Sequence, residues 1–435
     1  MSFWLDILLL MLNTMVLSLF NPLFWLVVFI VFMQYRRVVF MEKKLFGRSI
    51  NNVWVQTLYS MLFGVMGGLV GSIFLLLLGI SLDRIGIAYI WPVAILLLFI
   101  NPRYLCFAYA GGIIAVLSII IRALLPSLPI LKDITILSGL IEIHLPSLLA
   151  LVGVLHLTES FLIFISGHCG ASPIYLKVPS GKIVGGYSMQ RFWPLPLMGL
   201  CTYLVAETSD IFVGGIAMPD WWPLLGTVMN TGGGQEVVYL MLPLVAGLGY
   251  SDLALSSYPH NKRIKTARNL AIYSLLLSSL AIAAVFVPPL IIAAALVAPL
   301  GHELLILKGN KEEFSGTPLF VADNEGVLKI MAVVPGSPAG KAGLKGGDRI
   351  EKVNNYRINS ENDFWNALQL YYNRALLSVV REGKNINIPV QIYPQPISRF
   401  GVIFPPSRWN NVYVEMKHSS LWKKIRGRFL PGRRS

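Results

Sequence analysis

Histidines, carboxylates and cysteines are the residues from which catalysis or metal binding could be built here, and their spacing decides which chemistry is open. His302-Glu303 begins the pattern of a zinc-protease helix, where two histidines one turn apart hold the metal and the glutamate acts as base. The second ligand position is Ile306, and His144, His156, His168, His260 and His418 are scattered with no i, i+4 pair. His302-Glu303 then reads as the polar end of an apolar segment. Cys106, Cys169 and Cys201 lie in or beside apolar stretches at no metal-binding spacing and form no disulfide framework. There is no G-x-S-x-G elbow for a nucleophilic serine. Gly232-Gly233-Gly234 and Gly64-x-x-Gly67-Gly68-x-x-Gly71 lack a following Lys-Ser/Thr, so neither cradles a phosphate. The second set suits close helix packing in a membrane. Glu142, Glu159 and Glu207, with His144 and His156 nearby, could mark a transport path, but no inverted repeat of broken helices accompanies them. The expectation is a protein with no catalytic residues, no metal and no cofactor.

The elements that carry these residues are mostly apolar. Of 435 residues, 55% are hydrophobic and only 13% charged, with a mean hydropathy of +0.64. A soluble domain is typically about 25% charged, so much of this surface faces lipid. Runs approaching the ~20 residues needed to cross a bilayer are Ser2–Phe20, Pro22–Tyr35, Thr57–Ile80, Ile87–Ile100, Leu105–Ile121, Ser138–Ile165, Phe192–Ala206, Val237–Leu255, Asn269–Val287 and Leu290–Leu307. Asn21-Pro22 is a turn signal that makes the first two a hairpin, although Asp6, Asn13 and Ser18 would also let Ser2–Phe20 lie in the interface. Phe192–Ala206 is short and holds Pro194 and Pro196, and Asp220–Gly234 reads as an outer re-entrant or interfacial loop. The N-terminus has no basic region or small-residue cleavage site of a removable signal peptide.

Loop charges orient the chain. Arg36, Arg37, Lys43, Lys44 and Arg48 lie in one loop, Lys177, Lys182 and Arg191 in a second, and Lys262, Arg263, Lys265 and Arg268 in a third. The loop with Glu207, Asp210, Asp220 and Glu236 has no Lys or Arg. Basic loops on the cytoplasmic side place everything after Leu307 in the cytoplasm. The expected organisation is a polytopic α-helical membrane domain over 1–308, a cytoplasmic α/β domain over 309–395, and an apolar strand with a basic tail over 396–435.

In the α/β domain, Val327–Val334 and Arg349–Asn354 read as strands and Ala339–Leu344 as a helical turn. Ser360 and Asp363 form a capping-box signal for a helix to about Tyr372, and Leu376–Arg381 with Asn385–Ile392 make a hairpin around Glu382-Gly383-Lys384. The tail from Arg408 to Ser435 carries eight Lys/Arg against Glu415 alone. Trp422, Ile425 and Phe429 recur there at helical spacing among Lys423, Lys424, Arg426 and Arg428, the pattern of an interfacial amphipathic helix. At about 1 kcal/mol per basic residue near an anionic surface, the expected partner of this tail is anionic lipid rather than nucleic acid.

The run Val333-Val334-Pro335-Gly336-Ser337-Pro338-Ala339-Gly340-Lys341-Ala342-Gly343-Leu344-Lys345-Gly346-Gly347-Asp348-Arg349-Ile350 resembles a PDZ domain of the bacterial, circularly permuted type. Such a domain binds a peptide by adding it to a strand edge beside a helix. The resemblance puts that strand at Thr317–Ala322 and the helix at Glu361–Tyr372. It makes Gly316, Thr317, Leu319, Phe320 and Val321 the binding loop and strand, with Phe364 and Leu368 lining the groove or serving as plain core. Pro318 lacks an N–H, which disfavours capture of a free C-terminus and leaves an internal segment or another strand of this chain as ligand.

The order of many spans, a PDZ domain, then an apolar strand and tail resembles the MinJ-like family of cell-division topological determinants of rod-shaped Gram-positive bacteria. The likeness also rests on Asn21-Pro22-Leu23-Phe24-Trp25, on Gly181-Lys182-Ile183-Val184-Gly185-Gly186 with Gln190-Arg191-Phe192-Trp193-Pro194, and on Phe400-Gly401-Val402-Ile403-Phe404. It implies a non-catalytic adaptor, enriched at septum and poles, that links a DivIVA-like curvature sensor to the MinC–MinD division inhibitor. Self-association stays open. The long basic tail departs from the family pattern and bears on partner identity. The alternatives are a PDZ-containing regulator of membrane proteolysis, degenerate and metalloprotease-like, and a transporter with a PDZ regulatory domain.

Overall fold

The structure, a computed structural model, describes residues 3–206, 218–219, 222–225, 235–321, 328–371, 373–392, 399–407 and 412–415. The chain begins with helices α1 (Phe3–Phe20), α2 (Pro22–Phe46), α3 (Val53–Leu77), α4 (Ile87–Ile100), α5 (Phe107–Leu124), α6 (Thr135–Glu142) and α7 (Leu145–Ser166). Strands β1 (Ser172–Lys177), β2 (Ile183–Ala206) and β3 (Gln235–Ala254) follow, then α8 (Pro259–Phe286) and α9 (Leu290–Ser315). Local chemistry sets the breaks. Asn21 caps α2 by accepting from Leu23 N at 2.9 Å with Pro22 in the first turn, and Gly47 at φ 69° ends it. Asn52 caps α3 in the same way. Among the described residues seven helices are long and apolar enough to cross a membrane: α1, α2, α3, α5, α7, α8 and α9. They fit a multi-pass membrane protein. Ser138–Ile165, expected as one run, is two helices parted at Ile143-His144.

Two of the expected spans are not helices. Phe192–Ala206 and Val237–Leu255 belong to β2 and β3, which pair antiparallel from Tyr187↔Ala254 to Ala206↔Gln235. Within an apolar body every strand N–H and C=O must find a partner or be eliminated, and this hairpin does both. Met198 stands opposite Pro243, which has no N–H, so the pair is not hydrogen-bonded and alternate residues of β2 turn their amides away from β3. At those positions Pro194 and Pro196 offer no N–H. Met198 N donates to Ser72 Oγ at 2.8 Å, Leu82 N donates to Leu200 O at 3.0 Å, and Thr202 N reaches Asp83 Oδ1 at 2.9 Å.

The glycines of α3 explain how a helix can lie against this strand. A Cβ at Gly64 would come 2.1 Å from Pro194 O, and one at Gly68 would come 2.3 Å from Pro196 O. Gly67 faces Leu162 of α7, and Gly71 lies between Leu197 of β2 and Thr158 of α7. The glycine set thus marks close packing as expected, with a strand on one side and a helix on the other.

The remaining elements are β4 (Phe320–Val321), β5 (Leu328–Lys329), β6 (Ala332–Val333), α10 (Pro338–Lys341), β7 (Arg349–Val353), β8 (Tyr356–Arg357), α11 (Glu361–Gln369), β9 (Arg374–Arg381), β10 (Lys384–Gln391), β11 (Val402–Ile403) and β12 (Val414–Glu415). One sheet runs β10-β9-β7-β5, with β8 on β7. A second sheet belongs to the body, in the order β12-β1-β2-β3 with β4 on β2. The strands on either side of the α/β unit thus pair into the body sheet, and Tyr187 Oη and Tyr175 Oη of the body donate to Met331 O and Phe404 O of the unit.

That junction lies at the end of the body where the basic loops meet. Buried Glu42 of α2 accepts from Ile50 N, Asn51 N and Ser172 Oγ. Buried Glu313 of α9 accepts from Leu255 N at 2.8 Å, Ser256 N at 2.9 Å and Ser257 Oγ at 2.9 Å. Lys262 Nζ lies 3.4 Å from both Glu313 and Asp252. Each carboxylate is buried with several donors, the condition under which a buried charge is tolerated.

Candidate functional site

The α/β unit is built as its turns require. Ser337 caps α10 through Gly340 N, and Gly336, Gly343 and Gly347 take φ of 75°, 85° and 98°, where only glycine is unstrained. Buried Asp348 accepts from Arg381 Nε and Nη2, each at 2.7 Å, and from Lys345 N at 2.8 Å. The carboxylate in turn raises the affinity of the Arg381 guanidinium for its proton. Glu382 and Gly383, at φ 50° and 79°, turn β9 into β10. Ser360 accepts from Asp363 N at 3.1 Å to start α11. Replacing Asp348 by alanine leaves the Lys345 amide without its acceptor and the guanidinium with only Gly343 O. The expected cost is about 1–3 kcal/mol, read as faster proteolysis of residues 328–392 in the detergent-solubilised full chain.

The expected binding residues do not come together. Gly316 ends α9, its N–H donating to Glu312 O at 3.1 Å. Thr317 follows it, and Leu319 N donates to Leu255 O at 2.8 Å. Phe320 and Val321 pair with Gly185 and Val184 of β2, and the Phe320 ring packs edge-on to Tyr187 and Tyr258. This stretch belongs to the membrane body. Phe364 and Leu368 of α11 are both fully buried in the separate core of the α/β unit. The strand expected to flank the groove is therefore committed elsewhere, because its main chain and its aromatic ring both have partners on the body.

A different strand stands beside α11. Val402 and Ile403 pair with Val333 and Ala332, and Phe400 O, Gly401 O and Ile403 O accept from Ala339 N, Val334 N and Met331 N at 2.8–3.0 Å. Phe400 and Phe404 lie edge-on to Phe364 at 5.7 and 5.2 Å and to Trp365 at 6.2 and 5.8 Å. Gly401, at φ 93°, has Ser337 against it where a Cβ would stand. The apolar strand assigned to the tail is thus part of the core of the α/β unit. Beyond it, Tyr175 Oη donates to Phe404 O at 2.9 Å and β12 pairs with β1 at Leu176↔Val414 and Lys177↔Glu415.

The ionisable residues of the body also have places. Glu142 and His144 line an open cavity with Arg84 and Arg122. His156 does not join them; it faces Cys106 and His302, contributed by three different elements. Spacing along one helix could not show that grouping, and only the isolated polar residues in apolar helices hinted at it. Glu303 is held by Arg103 and by Tyr109 Oη. Glu207 and the tail residues Trp422, Lys423, Lys424, Arg426, Arg428 and Phe429 lie outside the described residues.

Two kinds of likeness bear on this arrangement. The PDZ domain family matches residues 329–370, which hold β6, α10, β7, β8 and α11. The chain is also 25% identical over 367 residues to the cell division topological determinant MinJ of Bacillus subtilis (strain 168), covering 84% of this chain and 86% of that protein. The chain is MinJ-like and carries a PDZ domain. At 84% of the chain, the likeness to MinJ is far longer than the PDZ domain alone. By contrast, probable periplasmic DegP-like serine endoproteases of Chlamydia pneumoniae and Chlamydia trachomatis are 48% and 44% identical over 66 residues, 15% of this chain and 14% and 13% of theirs. That likeness is confined to one domain. The circular permutation expected of the MinJ-like chain's PDZ domain is not part of what either likeness carries.

Proposed function

We propose that this protein is a non-catalytic membrane adaptor of cell division, with its PDZ domain and basic loops on the cytoplasmic side. The observation that carries the reading is the MinJ likeness over 84% of the chain together with a PDZ domain, whose Met331 O and Phe404 O accept from Tyr187 Oη and Tyr175 Oη of the body. A rigid seat of this kind suits a module that presents a surface at the membrane. The partners we propose are cytoplasmic division proteins, a DivIVA-like curvature sensor and a MinD-like component of the division inhibitor, with enrichment at septum and poles. Phe364 and Leu368 would support the recognition surface from the core beneath it, and the Gly316–Val321 stretch would contribute only after leaving β2. The Trp422–Phe429 segment would add attachment to anionic lipid.

The test is the position of a fluorescent fusion in a rod-shaped host, intact and with residues 316–435 removed. Septal or polar enrichment of the intact chain, with filaments or minicells when the region is deleted, is the expected result. A uniform membrane signal with normal division in the deletion would overturn the adaptor reading.

A further inference from the structure

Cys106, His156 and His302 each point one ligand atom into a common space, with all three atoms within 4.8 Å of one another. Small residues make the approach possible. A Cβ at Gly111 of α5 would meet Val152 of α7 at 2.8 Å, and one at Gly112 would meet Pro299 of α9 at 2.4 Å. Helices this close bring the start of α5, the middle of α7 and the middle of α9 to one point.

The donor geometry is that of a soft or borderline metal site. Cys106 Sγ lies 3.2 Å from His156 Nε2 and 3.9 Å from His302 Nε2. Metal bonds of about 2.3 Å to sulfur and about 2.0 Å to nitrogen give tetrahedral S···N edges of about 3.5 Å, between the two observed distances. His156 Nδ1 lies 2.7 Å from Val152 O. A carbonyl only accepts, so Nδ1 carries the proton and Nε2 presents its lone pair, the outer-shell arrangement that orients metal-binding histidines. His302 is otherwise poorly satisfied: its Nδ1 is buried with no partner among the described residues, and Nε2 reaches only the distant sulfur. A weakly engaged Nε2 in an apolar bundle is costly, and a ligated ion would engage that nitrogen.

We propose that Cys106, His156 and His302 bind one zinc ion, which ties α5, α7 and α9 together. One thiolate and two imidazoles are a donor set that zinc favours over calcium or magnesium, which take oxygen ligands. Glu303 has no part in it, being held by Arg103 and Tyr109. The three ligands come from separate elements, so the site is unrelated to the protease pattern that His302-Glu303 begins. It also does not depend on the adaptor reading.

The test uses the full chain in detergent, stripped with a chelator and titrated with Co²⁺ as a spectroscopic stand-in, alongside its zinc content as purified. About one zinc per chain is expected on the donor count, and the cobalt form should show a thiolate-to-metal charge-transfer band. Cys106→Ser, nearly the same size, should abolish the band. It should also weaken zinc binding by more than the roughly 10- to 100-fold that losing an outer-shell partner costs. The Cys169→Ser, Cys201→Ser double variant should keep both. A full chain that takes up no cobalt band, or a band that survives Cys106→Ser, would overturn the proposal.

Discussion

Alanine at Gly68 lowers the thermal midpoint of the full chain in detergent far more than alanine at Gly67, although the two are neighbours on one helix. The difference follows from what each new methyl would meet. At Gly67 it would press on Leu162 Cδ1 at 2.7 Å, the end of a flexible side chain that can turn aside. At Gly68 it would stand 2.3 Å from Pro196 O and 3.0 Å from its carbonyl carbon, which are backbone atoms of a strand paired with β3 from Tyr187 to Ala206. The helix must then move away from β2, stretching the Ser72–Met198 contact of 2.8 Å one turn on. Overpacking costs about 1–3 kcal/mol when side chains can adjust, and Gly68→Ala should reach the top of that range or pass it. The better helix propensity of alanine, worth about 1 kcal/mol, offsets part of the cost at both sites and leaves Gly67→Ala close to neutral. A 3 kcal/mol loss corresponds to a few degrees, at most roughly 6 °C, in a chain of this size, and Gly64→Ala, facing Pro194 O at 2.1 Å, should behave like Gly68→Ala. Equal midpoints for Gly67→Ala and Gly68→Ala would mean that α3 does not lie on the hairpin as described.

The same prolines show where sequence reading succeeds and where it stops. Asn21-Pro22, the Ser360–Asp363 cap and the Glu382-Gly383 turn are local signals, and they mark where α2 starts, where α11 starts and where β9 turns into β10. The Gly-rich run before Asp348 was legible because its glycines take φ values other residues avoid. The hairpin was not legible as strands. Residues 193–200 of β2 are buried on both faces, so the alternation that marks a half-exposed strand is missing and the run looks like a helix by composition. The residues did hold a clue, since Pro194-x-Pro196 cannot continue a helix and sits well only on a strand edge without N–H partners.

Two other features depend on distant parts of the chain. Phe320 and Val321 were placed in a peptide groove because the order of PDZ elements puts a strand there. Their pairing with β2 is a contact across more than a hundred residues that no local pattern encodes. The grouping of Cys106, His156 and His302 is of the same kind, because its members come from three elements and share no spacing. In both cases residue types were visible and their meeting point was not. That division is physical: caps and turns are decided within a few residues, whereas sites assembled by packing are decided by which helices can approach closely.

Truncation separates a PDZ domain that ends near residue 395 from one that needs the strand after it. A chain ending at Gln395 loses protection of residues 328–392 against protease, and a chain ending at Ser407 keeps it. Phe400 and Phe404 are 1% and 4% exposed and share one core with Phe364, Leu368 and Val379. Emptying a buried phenylalanine site costs about 3–5 kcal/mol, so losing two of them removes most of the roughly 5–15 kcal/mol that holds a domain together. Their strand also satisfies the amides of Met331, Val334 and Ala339, which the shorter chain would leave without partners. The double variant Phe400→Ala, Phe404→Ala in the full chain should reproduce the shorter truncation, because the backbone contacts alone cannot hold a two-residue strand. The chain ending at Ser407 lacks β12 and its pairing with β1, so protection retained there assigns the effect to the aromatic core rather than to the seat on the membrane body. If the chain ending at Gln395 is as resistant as the full chain, β11 is a dispensable occupant of the domain, and the groove beside α11 is open to a partner without it.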